Sequence, residues 1–190
     1  MKKLIVYDVD DTLFFANQRI GLTINGVPQW ITPQEFHEYD VAGLIDHSVD
    51  YSLLLSSDDF VSCLKPNQIC IELLIEDIDR ADSDIIIMTA RGEVDDVKKF
   101  KGAFRDHGID IDSCEFRFCS QDVTLSSHQK KKPQFQEMLA KHYDHVTVYD
   151  DNVKNLETVH HVAMDYPFTT INSFKINPDG SISKYYGETV

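Results

Sequence analysis

Three aspartates follow the first apolar run of the chain, at Asp8, Asp10 and Asp11. The run, Leu4 to Tyr7, has no polar alternation, which predicts a strand buried on both faces, as in a parallel sheet. Open α/β sheets bind their ligands at the carboxyl ends of such strands. A helix N-terminus, whose dipole attracts acids, is the competing interpretation. Three crowded carboxylates repel one another, so we expect a divalent cation here, and an all-oxygen site suits Mg²⁺.

Three more groups of polar side chains lie at predicted strand ends or at loop–helix junctions. They are Thr89-Ala90-Arg91 after the apolar run Asp84 to Met88, Lys130-Lys131-Lys132 before a helix predicted to open at Pro133, and Asp150-Asp151 after the run Val146 to Tyr149. Arg91 adds a planar donor fork that suits phosphate. One of the three lysines is expected to turn inward while the others are solvated.

In this order the four groups resemble the motifs of the haloacid-dehalogenase-like (HAD) hydrolase superfamily, phosphatase type. The resemblance covers residues 8 to 152 and is nearest to HAD proteins of phages and to the phosphatase domain of polynucleotide kinase–phosphatases. It implies that Asp8 is a nucleophile that becomes an aspartyl-phosphate. It also implies that Asp10 acts as general acid and then as general base.

The same resemblance implies roles for the remaining positions. Thr89 and Lys131 would complete the catalytic set, with Lys132 as the alternative lysine. The substrate contacts would come from Val9, Thr12, Ala90, Arg91 and Lys132. The Mg²⁺ ligands would come from Asp8, Asp10 (through its backbone carbonyl), Asp150 and Asp151, with Asp151 preferred over Asp150 as the direct ligand.

Strand and helix patterns alternate through the centre of the chain, which predicts an α/β fold with a Rossmann-like, doubly wound parallel sheet. We expect a HAD-like core from residues 1–13 and 66–190, with a small cap inserted at 14–65. Within the insertion, Asn25-Gly26 predicts a hairpin, and Thr32 and Glu35 predict a capped helix start. Further helices are predicted to begin near Ser57 and at Pro66. A hairpin from Thr170 to Tyr185 is expected to close the chain.

The composition of the chain indicates where in the cell the protein acts and which partners it does not bind. The 190 residues carry a net charge of −14, which argues against a stable complex with nucleic acid or a grip on anionic membranes. No apolar run has membrane-spanning length, and the start lacks the pattern of a signal peptide. The four cysteines lack zinc-site spacing, so we expect reduced thiols and a cytoplasmic protein, in the host cytoplasm if a phage encodes it.

The predicted function is Mg²⁺-dependent hydrolysis of a phosphomonoester, either a nucleotide or nucleic-acid 3′-phosphate end or a small non-nucleotide metabolite. A non-catalytic phospho-accepting or binding module is the alternative from another class. Two-component receiver domains use the same residue types in a different order, and a dehalogenase needs no acid at Asp10. The chain lacks a P-loop, so no kinase activity is expected. The sequence leaves the oligomeric state open.

Overall fold

The computed structural model describes residues 1–32, 35, 46–122 and 125–187. Its strands are β1 Lys3–Asp8, β2 Phe14–Ala16, β3 Ile20–Ile24, β4 Val27–Ile31, β5 His47–Asp50, β6 Leu64–Pro66, β7 Asp84–Thr89, β8 Glu115–Phe118, β9 His145–Asp150, β10 Thr170–Ile176 and β11 Ile182–Tyr185. Its α-helices are α1 Ser52–Leu55, α2 Ser57–Cys63, α3 Gln68–Arg80, α4 Val97–Asp106, α5 Ser127–Leu139 and α6 Val153–Ala163, with a 3₁₀ turn at Ile111–Ser113.

A six-stranded central sheet runs in the order β11-β10-β9-β1-β7-β8, and all of its pairings are parallel except that of β11. The chain proceeds outward from β1 through β7 to β8 and then returns to the other side of β1 to form β9 and β10. The direction of winding therefore reverses beside β1, where open sheets of this kind leave a crevice. The predicted α/β class with a mostly parallel sheet is confirmed.

Helices cover both faces of this sheet, which explains the apolar runs without polar alternation. Residues of α3 and α4 pack with Tyr7 on one face, and residues of α5 and α6 pack with Val6 on the other. Because successive side chains of a strand point to opposite faces, both sets of positions in β1 must be apolar. The buried strand thus carries Asp8 rigidly to the carboxyl edge of the sheet.

A separate antiparallel sheet, β4-β3-β5, lies in the predicted insertion. The predicted hairpin is present, with positive φ at Asn25 and Gly26, and β5 completes the sheet. Ile20 and Leu22 of β3 form a small apolar cluster to which Tyr51 and Leu54 contribute. We call these three strands together with α1 the accessory unit.

The predicted helix start at Thr32 is only partly within the described residues. The backbone N–H of Thr32 donates to a Glu35 carboxylate oxygen at 2.7 Å, and that of Glu35 donates to Thr32 Oγ1 at 3.1 Å. These are the reciprocal hydrogen bonds of a capping box. Residues 33 and 34 of this predicted start, and residues 36–45 after it, lie outside the described residues.

The two ends of the predicted insertion are joined by the antiparallel pair β2 and β6. Between the accessory unit and β6, α2 packs against α4, and the Phe60 ring stacks on Phe100 with the ring centroids 4.3 Å apart. Phe60 is fully buried within the main apolar core. Part of the 14–65 segment therefore packs as one body with the helices of the large sheet.

Two predicted helix starts are wrong. Pro66 lies in β6 opposite Phe14, and α3 begins two residues later, at Gln68. Helix α5 begins at Ser127 and not at Pro133, because Ser126 and Gln129 form a capping box in which the Ser126 N–H donates to Gln129 Oε1 at 2.8 Å. Pro133 lies inside α5 at the cost of one backbone hydrogen bond. The three consecutive lysines are therefore helical.

Among the described residues, no helix combines the length and the apolar character that crossing a membrane requires.

Candidate active site

A buried ammonium group joins the carboxyl ends of two neighbouring strands. Asp8 ends β1 and Asp150 ends β9, and both side chains are almost fully buried. Lys131 Nζ donates to Asp8 Oδ1 and, at 2.7 Å, to Asp150 Oδ2. Lys131 is itself only 1% exposed. A lysine is seldom buried to this extent without paired acids, so this contact defines the site.

Helix geometry explains why one lysine of three reaches the carboxylates. Successive residues of an α-helix point about 100° apart, so three neighbours face three directions. Lys131 lies on the buried face of α5, Lys130 is half-buried and lines the pocket described below, and Lys132 is exposed and does not line it. Lys132 was predicted as a substrate contact, but its exposed position lies outside the pocket lining.

The two adjacent acids after β9 have different surroundings. Both oxygens of Asp150 accept from Asn155 Nδ2, at 2.9 and 3.0 Å, and its Oδ1 also accepts from the Asn152 N–H at 2.9 Å. Asp151 lines the pocket, and its backbone N–H donates to Thr12 Oγ1 at 3.1 Å. Thr12, predicted as a substrate contact, is fully buried and ties the turn after β1 to the end of β9.

Oxygen atoms of Asp8, Asp150 and Asp151 lie within 4.8 Å of one another, close enough to hold a metal ion. Burial raises the pKa of Asp8 well above its ordinary value; Lys131 opposes the shift, and the neighbouring carboxylates add to it. Burial and then Asp150 raise the pKa of Asp151 to about 8. One ammonium therefore does not neutralise the cluster. The surplus negative charge and the all-oxygen donor set fit a hard divalent cation.

The carboxylate of Asp10 is hydrogen-bonded to the last residue of β7 and to the loop that follows β7. It accepts from Thr89 Oγ1 at 2.9 Å and from Arg91 Nε at 3.0 Å to each oxygen, and Arg91 Nη2 also donates to Oδ1. Burial alone would raise the pKa of Asp10, but Arg91 and Thr89 outweigh burial and hold the pKa below its ordinary value. Thr89 and Arg91, both predicted to contact phosphate, are thus hydrogen-bonded to Asp10.

Arg91 also joins Asp10 to the accessory unit. Its Nη1 donates to the Leu54 carbonyl at 2.5 Å and to Gln18 Oε1. Gln18 is 3% exposed and in turn donates to the Leu53 carbonyl at 2.5 Å. Sequence reasoning missed Gln18 and Leu54, because a lone glutamine and a main-chain carbonyl leave no pattern to read.

A pocket of about 240 Å³ lies between the large sheet and the accessory unit. Its lining residues are Asp8, Asp10, Asp11, Ala90, Arg91, Gly92, Gln121, Leu125, Ser126, Ser127, Lys130, Asp151, Asn152 and Asn155, with Ile20, Tyr51, Leu54 and Leu55 from the accessory unit and the turn that leads into it. Of the predicted substrate contacts, Ala90 and Arg91 line the pocket. Val9 is buried, and its carbonyl accepts from the N–H groups of Leu13 and Phe14.

No protein-family model matches the sequence, and a search of curated proteins finds no significant match. The fold and the site together define an α/β protein with a buried Asp–Lys–Asp centre and a carboxylate group able to hold a metal ion.

Proposed function

We propose that the protein is an Mg²⁺-dependent phosphomonoester hydrolase of the HAD type, acting through an aspartyl-phosphate on Asp8. One observation carries the proposal. Lys131 bridges the carboxylates that end β1 and β9, beside a third carboxylate that opens on the pocket. The four residue groups singled out in the sequence supply the nucleophile, the proton carrier, the cation and the metal ligands that phosphoryl transfer requires.

Asp8 and Asp151, with Asp150 behind them, would hold Mg²⁺. When bound, Mg²⁺ neutralises charge on the phosphoryl oxygens and on the nucleophile. Lys131 contributes a second fixed positive charge next to Asp8, in a site largely closed to water, where such a charge is most effective. Both groups counter the repulsion that a phosphate dianion would otherwise meet at this acidic edge.

In the first step, an oxygen of Asp8 attacks phosphorus, and the bond from phosphorus to the leaving alcohol oxygen breaks. A proton passes from Asp10 to that oxygen. Because the Arg91 contact favours ionised Asp10, this step requires the phosphoryl oxygens of the substrate to draw the guanidinium away from Asp10. An aryl leaving group departs without this proton and avoids the requirement.

In the second step, ionised Asp10 accepts a proton from water as the water oxygen attacks phosphorus. The bond between Asp8 and phosphorus breaks, and inorganic phosphate leaves. The low pKa that Arg91 and Thr89 impose on Asp10 suits this role as a base. Asp10 is regenerated in the protonated form that the next substrate needs.

Release of phosphate from phenyl phosphate tests the proposal. We expect activity that needs Mg²⁺, disappears with a chelator and falls at least about 10³-fold in Asp8→Asn. Asp165→Asn is the matched control, since Asp165 is an exposed acid that does not line the pocket. An Asp8→Asn protein that keeps several per cent of the wild-type kcat would contradict the proposal, as would equal losses in the two variants.

A further inference from the structure

The two sides of the pocket differ in chemistry, and this difference points to a class of substrate. We propose that the substrate is a compact phosphomonoester whose leaving group is a single apolar or aromatic ring, and not the end of a polynucleotide. The inference rests on the proposed function and narrows it. Three observations carry it: the apolar wall, the size of the pocket and the charges around it.

The part of the pocket lining that comes from the accessory unit is apolar. Ile20, Tyr51, Leu54 and Leu55 line the pocket from the accessory-unit side, and Leu125 lines it from the loop before α5. Leu55 and Leu125 are half-buried and belong to none of the apolar clusters of the described residues. Their side chains therefore present to the pocket apolar area that no core position requires. A ring of the substrate would cover this area and remove it from water.

The volume of the pocket matches a small leaving group. A closed apolar cavity of roughly 150 Å³ is enough to bind benzene. The pocket of about 240 Å³ includes the space above Asp8 and Asp151 that the phosphoryl group must occupy. The space beside the phosphoryl group matches one ring, and the volume of the whole pocket lies below the range of about 300–1,000 Å³ that is common for pockets of drug-sized ligands.

The charges also disfavour a polyanion. The described lining includes Asp8, Asp10, Asp11 and Asp151, whereas its cations are Arg91, which is paired with Asp10, and Lys130. Since Asp8 and Asp151 would hold the metal and Asp10 pairs with Arg91, Lys130 is the lining cation left for the second and third phosphates of a nucleic-acid strand. The exposed carboxylate of Asp11 adds a negative charge to the same lining.

The basic residues of α4 could bind the phosphates of a polynucleotide, but they lie outside the pocket lining. Lys99 pairs with Asp58, and Lys101 lies over the Phe116 ring at 5.2 Å. Neither of them lines the pocket, nor does Lys98. Lys130 is half-buried and can contact one polar substituent on the ring. A single lysine cannot bind the successive phosphates of a nucleic-acid strand.

The test compares three probes on the wild-type protein with Mg²⁺: phenyl phosphate, glycerol phosphate and a 3′-phosphorylated oligonucleotide. We expect kcat/KM to be at least about tenfold higher for phenyl phosphate than for the other two, since one well-placed apolar group changes kcat/KM by about that factor. The higher intrinsic reactivity of the aryl ester is removed from the comparison by the variants that follow.

Leu55→Ser should lower kcat/KM for phenyl phosphate about tenfold and leave that for glycerol phosphate within about twofold. Leu53→Ser is the matched control, because Leu53 lies in the same short helix but does not line the pocket. It should change neither value.

Equal effects of Leu55→Ser on both small substrates, or the highest kcat/KM for the oligonucleotide, would overturn the inference and leave the proposed function standing. Absence of turnover with every probe, together with no calorimetric binding of phenyl phosphate to Asp8→Asn in Mg²⁺, would overturn both.

Discussion

The core side and the accessory side of the pocket hold their residues in different ways. On the core side, Asp8, Lys131 and Asp150 are nearly inaccessible to water and linked to one another by charged hydrogen bonds. The accessory side presents half-buried apolar side chains and joins the chemistry through the Leu54 carbonyl that Arg91 binds. Buried charges depend on fixed partners, whereas apolar contacts tolerate exchange of similar shapes. The core side should therefore determine the reaction, and the accessory side the substrate.

The largest effect is expected where the core side loses its cation. Lys131→Met leaves Asp8 and Asp150 facing each other without a charge between them, so we expect kcat to fall about 10²–10³-fold. Breaking a buried pair also costs about 3–5 kcal/mol in the free energy of unfolding. Phosphate release and chemical denaturation measure the two losses. Lys132→Met, at an exposed position on the same helix, should change neither by much, and similar losses in both variants would contradict this comparison.

The next effect concerns the residue that connects the two sides. Arg91→Gln frees Asp10 and releases the Leu54 carbonyl, so we expect kcat to fall about tenfold to 100-fold, as for a misplaced proton carrier. Amide hydrogen exchange in α1 should become faster in the same variant. Arg105→Gln, which breaks an exposed pair with Asp112, provides the control. Faster turnover with unchanged exchange in Arg91→Gln would show that Arg91 does not connect the two sides.

In the metal-free protein, the surplus negative charge of the core side should make the free energy of unfolding depend on pH. Folding raises the pKa of Asp151 to about 8 from an ordinary value near 4. Between about pH 4 and about pH 8, the folded protein therefore holds a proton that the unfolded chain has lost, and this group lowers the free energy of unfolding as pH rises. Denaturation of wild type and Asp151→Asn across this range isolates the contribution from those of the histidines. We expect the free energy of unfolding of wild type, minus that of the variant, to decrease as pH rises. Added Mg²⁺ should raise the free energy of unfolding of wild type but not that of Asp151→Asn. A difference that is constant with pH would refute this account.

The smallest effect is expected on the accessory side. Gln18→Ala removes a buried hydrogen-bond partner of Arg91 and of the Leu53 carbonyl, which should cost about 1–3 kcal/mol of stability. Because Arg91 still donates its hydrogen bonds to Asp10 in this variant, kcat should fall by less than about tenfold. Thermal unfolding and kinetics of Gln18→Ala are compared with Gln68→Ala, whose side chain bonds to Glu72 on the surface. A loss of kcat as large as that of Lys131→Met would erase the distinction between the two sides.

The same division separates what the sequence predicted from what it did not. Buried parallel strands must be apolar on both faces, so β1, β7 and β9 stand out as runs that end in functional groups. The hairpin at Asn25-Gly26 was predictable because its two positive φ values suit those residues. Such local rules act within a few residues, and the structure follows them at this hairpin but not at Pro66 or Pro133, where the expected helix starts are wrong.

The contacts between distant segments could not be predicted in this way. That Thr89 and Arg91 bind Asp10 depends on how the loop after β7 meets the turn after β1. The placement of the three lysines depended on where α5 begins, and the capping pair Ser126 and Gln129 was the signal that would have located it. The apolar side of the pocket has no motif, because its residues come from a strand, a short helix and two connecting segments that only the fold brings together.

The central claim is that Asp8 carries the phosphoryl group, and trapping that group tests it most directly. Asp10→Asn should still accept a phosphoryl group from phenyl phosphate, whose leaving group needs no proton, but should hydrolyse the intermediate slowly for lack of a base. Rapid acid quenching, proteolysis and mass spectrometry then locate the modification. We predict the mass of one phosphoryl group on the peptide that contains Asp8, removed by hydroxylamine and absent when Asp8 is also changed to Asn. A phosphoryl group on any other residue, or turnover by Asp10→Asn with none on Asp8, would contradict the claim.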